Sequence, residues 1–349
     1  MPILWKSLFP QRASSPDCCG GSLPARIRRA LRFAASLRVR KEETNLRGML
    51  TVFRVAHSPL SVQPEIVNVE LTNRCNQKCA FCPTGTGTNQ RPKGDMEFDT
   101  FRAIVDGLTP FTRIQFAGYG EPFLHRQLEH FLDYAATKGL NKRLQILTNL
   151  AAVDEQRVRR LLDHPFHKMY VSLDAMTSEE FLTYKRVNQF DVVRRNIEIL
   201  AADAARRTAV SQQLIVQMVL TRKNQHQREE FERYVRGLGM QPKFKSLNTY
   251  MSLASKDRIQ EFEIPELSRY DSKRGYSKRC PWPWGGFIVY WNGDVSVCCE
   301  DPLGTMIYGN VLQSSPVELL NLATGRCGFR QRYFKDPAQI AICRGCSYA

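Results

Sequence analysis

Between residues 65 and 246, short apolar runs alternate with amphipathic helical stretches, and this alternation leaves few folds open to the chain. Residues 66–71 alternate apolar and polar side chains and are rich in β-branched types, so they read as a strand. Further strands are expected at 113–117, 143–148, 168–173, 214–220 and 242–245. Helices are expected at 99–108, 126–138, 155–162, 178–185, 192–205 and 229–238. Strands separated by helices cannot be joined as hairpins, so the pattern predicts an α/β chain with a parallel sheet and helices packed outside it. In such sheets, binding and catalysis gather on loops beyond the carboxyl ends of the strands.

The first of those loops carries Cys75, Cys79 and Cys82 at C-x3-C-x2-C spacing. Thr72, Asn73 and Asn76 are poor strand formers and end the strand around them. Thiolates are soft ligands suited to zinc, copper(I) or iron–sulfur clusters. Three fall one short of a closed structural zinc site and leave a metal position open, which suits chemistry better than scaffolding. The whole chain holds 11 cysteines, an odd number at uneven spacing. That argues for metal sites in a reducing compartment over a disulfide framework.

With Phe81 before its third cysteine, this motif resembles the signature of radical S-adenosylmethionine (SAM) enzymes. The resemblance runs from about residue 64 to 349. It implies a partial (β/α)6 TIM-like barrel over residues 63–248. It also implies that Cys75, Cys79 and Cys82 hold three irons of a [4Fe–4S] cluster while SAM chelates the fourth. Reductive cleavage of SAM would give a 5′-deoxyadenosyl radical that takes hydrogen from substrate, fed by an external one-electron reductant such as flavodoxin or ferredoxin. The stretch Gly118-Tyr119-Gly120-Glu121-Pro122 resembles the family's GGEP motif, with Tyr119 in place of one glycine, and marks Gly118, Gly120 and Glu121 as the loop at the SAM amino group. Asn149 and Ser172 end apolar strands, where polar side chains face a barrel mouth. Position alone marks Asn149 as a candidate cofactor contact, while the resemblance makes Ser172 a SAM contact, puts Phe81 near the adenine and gives Arg186 the SAM carboxylate, which a planar guanidinium suits. His125 is expected to anchor the loop after Glu121, and the other histidines are assigned no chemistry.

Residues 249–278 are polar and weakly periodic and read as a linker. From 279 the character changes. Asn292-Gly293 signals a tight turn between strands at 287–291 and 294–298, and Ser315, Pro316 and Glu318 open a helix with a capping box. Cys280, Cys298, Cys343 and Cys346 are the natural set of four, able to close on zinc or on a cluster. The runs CPWPW and NGDVSVCCED and the late C-x2-C resemble the SPASM/twitch extension of radical SAM enzymes. This resemblance implies a small cysteine-rich α+β domain at 279–349 holding an auxiliary [4Fe–4S] cluster. Cys299 is an alternative ligand to Cys298, and Cys327 is expected to be a buried thiol.

The net charge is +16, and half of the excess falls in residues 1–60. Residues 24–40 would form a helix with a basic face. This extension, 1–62, is expected to pack on the catalytic domain, with peripheral contact to an anionic membrane or an organellar transit role as alternatives. No run of about 18 apolar residues occurs, so no transmembrane span and a cytoplasmic location are expected. A zinc-dependent nucleic-acid-binding protein fits the charge. The strand–helix repeat does not suit it, and aromatics interleaved with basic residues are scarce, so nucleic acid is not the expected partner. A radical generator near a second cluster suggests a two-electron oxidation of a small or carbohydrate-like molecule. The alternative is a peptide- or protein-modifying maturase, for which residues 1–60 look short and basic for leader binding.

Overall fold

A computed structural model describes residues 63–207, 212–249, 256–268, 280, 282–321, 326–344 and 346. The basic helix at 24–40, Cys18, Cys19 and the side chain of Cys327 lie outside the described residues.

The six expected strands form as β1 (Ile66–Val69), β2 (Arg113–Phe116), β3 (Gln145–Thr148), β4 (Lys168–Ser172), β5 (Gln213–Leu220) and β6 (Gln241–Ser246). Each pairs in parallel with the next. Between them run α1 (Phe98–Asp106), α2 (Leu128–Thr137), α3 (Glu155–Arg160), α4 (Ser178–Lys185), α5 (Phe190–Arg206) and α6 (Arg228–Gly237). The caps explain two helix starts. The Asp154 carboxylate accepts from the Arg157 amide at 2.8 Å, and Thr177 accepts from the Glu180 amide at 3.5 Å.

Strand side chains alternate between two faces. Val67, Val69, Ile114, Phe116, Met169 and Val171 are buried with helix residues such as Phe101, Phe131 and Phe181 in one apolar core. Their alternates Asn68, Gln115, Tyr170 and Ser172 therefore share the opposite, inner face. Two hydrogen bonds cross that face, from Gln115 to Gln145 and from Gln217 to Ser172, both at 2.7 Å.

The C-terminal hairpin does not form a sheet of its own. β7 (Gly286–Val289) pairs in parallel with β1, and β8 (Asp294–Ser296) and β9 (Ile307–Asn310) continue antiparallel beyond it. The result is one 9-stranded sheet in the order β6-β5-β4-β3-β2-β1-β7-β8-β9. β6 and β9 stand at opposite edges, so the barrel is partial, as expected. Gly293 turns the β7–β8 hairpin with φ +87°.

The linker also differs from expectation, because it contains α7 (Lys256–Phe262). Phe262 is buried with Phe81 and Leu247, and Ile259 packs against them. Two apolar residues in a polar stretch suffice for a helix whose partner lies far away in sequence. Two further helices follow, α8 (Pro316–Asn321) and α9 (Arg326–Lys335). Among the described residues no helix is long and apolar enough to cross a membrane.

Candidate functional site

The cysteine loop leaves β1 and is held by backbone on both sides. The Lys78 amide donates to the Lys185 carbonyl at 3.1 Å, Ala80 to Tyr184 at 2.8 Å, and Cys82 to Cys79 at 3.2 Å. Gly85 closes the loop where a Cβ would lie 2.5 Å from the Cys79 nitrogen and 2.6 Å from its oxygen. Only glycine fits there, and the sequence pattern gives no sign of it. Cys75, Cys79 and Cys82 are each half-buried. Burial above all, then Glu121 and the neighbouring thiols, pushes the Cys75 thiol up to about 12. Burial pushes Cys79 up to about 11 against the opposing influence of Lys185. Such thiols ionise when a metal supplies the compensating charge. Three soft thiolates on one loop, with a metal position left open, fit three irons of an iron–sulfur cluster better than a closed zinc site.

Two charged residues beside the loop carry more weight than the sequence suggested. Lys185 and Asp174 form an ion pair at 2.6 Å with side chains 4% and 2% exposed. Burial opposes the Lys185 charge, yet Asp174 and Cys79 beside it raise its affinity for a proton. Asp174 sits at φ +61° and also accepts from the Val219 amide at 2.6 Å. Arg186, by contrast, is exposed at the C-cap of α4 with φ +59°. Phe81 is buried against Phe262 at 5.2 Å and Tyr184 at 6.5 Å, with the Arg258 guanidinium 5.7 Å from its ring. Both Phe262 and Arg258 come from α7, so a segment read as linker packs on the cysteine loop.

Glu121 is fully enclosed. Its carboxylate accepts from the Phe123 amide at 3.1 Å, the Thr148 hydroxyl at 2.7 Å and the Asn149 amide at 2.7 Å. Burial raises its affinity for a proton, and these donors oppose that. Glu121 thus fixes Asn149, whose side-chain amide donates to Asn76 at 2.8 Å and lies 3.9 Å from the Cys75 sulfur. A Cβ on Gly120 would lie 2.0 Å from the Thr72 carbonyl oxygen, so the loop can pass only as glycine. A Cβ on Gly118 would lie 2.6 Å from the Glu70 Cβ. His125 anchors the turn as expected, through Met96 at 2.9 Å and the Gln127 amide at 3.2 Å.

Cys280, Cys298, Cys343 and Cys346 meet in a second apolar pocket with Trp284, Val297, Phe329, Tyr333 and Ile340. Burial, then Cys298, Cys346 and Cys343, pushes the Cys280 thiol well up, so the four lie within reach of one another's charge. Cys298 rather than Cys299 packs into this pocket.

The two cysteine sets are joined by a buried seam. Arg91 grips the Glu70 carboxylate with both terminal nitrogens at 2.8 and 2.7 Å. Its guanidinium lies 3.9 Å from the Tyr290 ring, and its Nε donates to the Pro302 carbonyl at 3.0 Å. The Tyr119 amide donates to Glu70 at 3.0 Å, its hydroxyl to the Cys299 carbonyl, and its own carbonyl accepts from Thr84. The Tyr290 hydroxyl donates to the Asp301 carbonyl. Tyr119, the departure from the double-glycine motif, is therefore the residue that spans the two loops.

The family model for the radical SAM superfamily matches residues 69–234, and that for an iron–sulfur cluster-binding domain matches residues 280–347. A tungsten-containing aldehyde ferredoxin oxidoreductase cofactor-modifying protein of Pyrococcus furiosus is 26% identical over 176 residues, 49% of this chain and 48% of that protein. The S-adenosyl-L-methionine-dependent 2-deoxy-scyllo-inosamine dehydrogenase of Niallia circulans is 26% identical over 119 residues, 33% of this chain and 47% of that protein. The chain spans about half the length of these relatives. Among solved structures, SuiB of Streptococcus suis bound to S-adenosylmethionine is similar with a TM-score of 0.59 at 16% identity, over 93% of this chain and 82% of that one. That likeness is one of fold.

Proposed function

Because the chain belongs to the radical SAM superfamily and carries a C-terminal iron–sulfur cluster-binding domain of the SPASM kind, we propose that it oxidises a small, carbohydrate-like molecule by two electrons. When bound, a [4Fe–4S] cluster with SAM and an auxiliary iron–sulfur cluster supply a 5′-deoxyadenosyl radical and an acceptor for the electron left on substrate. An alcohol carbon would become a carbonyl by losing a hydrogen atom, a proton and an electron. The dehydrogenase among the relatives supports that reaction class.

In this reading Cys75, Cys79 and Cys82 hold the first cluster, and Cys280, Cys298, Cys343 and Cys346 the second. Lys185 keeps a positive charge beside Cys79 and favours its thiolate. Gly118 and Gly120 let backbone come close to SAM, Asn149 and Ser172 offer polar contacts from strand ends, and Phe81 gives an apolar wall. Arg186 would have to turn in from the surface to reach the SAM carboxylate. The reductant is external, of the flavodoxin or ferredoxin kind.

The observation that carries the oxidation is the second set of thiols, Cys280, Cys298, Cys343 and Cys346, gathered in one apolar pocket; the Tyr119 seam ties its neighbour Cys299 to Thr84, two residues past Cys82. The test is iron and sulfide per chain after anaerobic reconstitution. About eight irons are expected, and about four in a Cys75/Cys79/Cys82→Ala variant that no longer makes 5′-deoxyadenosine. Four irons in the unaltered protein would remove the electron acceptor and the oxidation with it, and zinc without iron would remove the reading altogether.

A further inference from the structure

The inner face of the sheet carries positive charge and no acid. None of the strands β1 to β7 contains an acidic residue. Glu70, just after β1, is already held by Arg91. On the same face lie Arg113 at the start of β2, Lys168 at the start of β4 and Lys243 in β6. They share it by alternation, because Ile114, Met169 and their like are buried under the helices, and Phe244 packs on Phe231 of α6. Lys243 reaches across to within 4.5 Å of the Tyr170 ring centre, which confirms the shared face. Among the described residues Arg113, Lys168 and Lys243 form no ion pair. Asn68, 7% exposed on the same face in β1, has a side-chain oxygen with no hydrogen-bond partner. A buried acceptor without a donor is costly unless something fills its place.

We propose that this inner face binds an anionic small molecule, its phosphate or carboxylate group seated among Arg113, Lys168 and Lys243. The proposal rests on the small-molecule reading above and deepens it by naming the charge of the substrate. The strand register gives its orientation. Arg113 and Lys168 open their strands, and Lys243, level with Gln217 and Ser172, reaches back over Tyr170 toward them, so the anion lies on the amino-end side of the strand end assigned to SAM. The uncharged remainder of the molecule then extends toward the cysteine loop, and Asn68 accepts from a donor on it. Burial, then nearby Lys245, Lys168 and Arg113, lowers the proton affinity of Lys243, the state expected of a cation waiting for its anion. Lysines on an edge strand also discourage pairing with other chains, and β6 is an edge. That role does not account for Arg113 and Lys168, whose strands have neighbours on both sides.

The test is acylation of lysines in the anaerobically reconstituted full chain, read by peptide mass spectrometry, with inorganic phosphate or succinate present and ionic strength fixed. Modification of Lys243 should slow while that of exposed Lys142 does not. Protection by phosphate identifies a phosphate ester, and protection by succinate a carboxylate. Arg113→Gln should raise the half-protecting concentration about tenfold through loss of one charge-assisted contact. Equal rates at Lys243 with and without either anion would overturn the proposal, as would protection that Arg113→Gln leaves unchanged. No SAM cleavage is needed for the measurement. Protection without 5′-deoxyadenosine formation would therefore sink the proposed reaction and leave the anion site standing.

Discussion

Glu121 accepts three hydrogen bonds within an enclosed site, and the Asn149 it fixes stands beside Cys75. A glutamine of the same shape has one accepting oxygen where the carboxylate has two. Glu121→Gln therefore leaves at least one buried donor unmet and should cost about 1–3 kcal/mol, read as a lower denaturant midpoint with unchanged slope. At the other end of the chain, Ser315 and Glu318 satisfy each other at the start of α8. The Ser315 amide and hydroxyl donate to the carboxylate at 2.8 and 2.9 Å, and the Glu318 amide returns a bond at 3.3 Å. These bonds hold the Glu318 carboxyl below the ordinary glutamate range. A lowered carboxyl stabilises the fold above its unfolded pKa and loses that contribution as pH falls through the folded one. The protection factor at the α8 N-terminus should hence fall below roughly pH 4 and stay flat from there to neutrality, and Ser315→Ala should abolish the step.

At the scale of elements, what could be read from the sequence was what depends on neighbours in the chain. The six parallel strands follow from period-2 runs, the Gly293 turn from its dipeptide, and the α8 cap from Ser315 and Glu318. What could not be read depends on distant partners. Nothing near Phe287 or Ile288 announces that β7 docks on β1, because any strand offers the same backbone groups to any edge. The site shows the same division. The cysteine spacing and the glycines after β2 were legible, while Lys185, Gly85 and Arg258 owe their places to packing across the fold. α7 is the clearest case, since its polar sequence hides Phe262, which is 5% exposed and stands edge-on to Phe81. Phe262→Ala should cost roughly 3 kcal/mol. The loss should be local, with faster amide exchange over residues 78–82 and in α7, while α1 and α2 exchange as before. Uniform loss of protection would mean that α7 belongs to the main core.

For the whole molecule, the two cysteine sets sit in unequal surroundings. The first follows directly on β1, a strand of the core that runs through β1 to β8, while its own loop packs in a small cluster with Phe262. The second belongs to a pocket in which Cys343 and Cys346 are themselves part of the small apolar cluster. Removing metal should therefore affect the halves differently. In the C-terminal half four thiolates left without metal would repel one another and would have to take up protons to stay in one pocket. The turn at 299–302 has other support, since Tyr119, Tyr290 and Arg91 donate to its carbonyls without any metal. β7 likewise keeps its pairing with β1. Stripping iron with a chelator under reducing conditions should then raise amide exchange in α9 and around Ile340–Arg344 toward that of open chain. Exchange in β1, β7 and residues 299–302 should change little. Arg91→Gln tests whether the seam is responsible. With Glu70 left buried and half-paired, residues 299–302 should lose protection in the iron-free protein, and by much less in the reconstituted one if, as proposed, a second cluster holds Cys298 in place. Equal loss in both states would mean that the seam, and not the metal, holds the C-terminal half to the barrel.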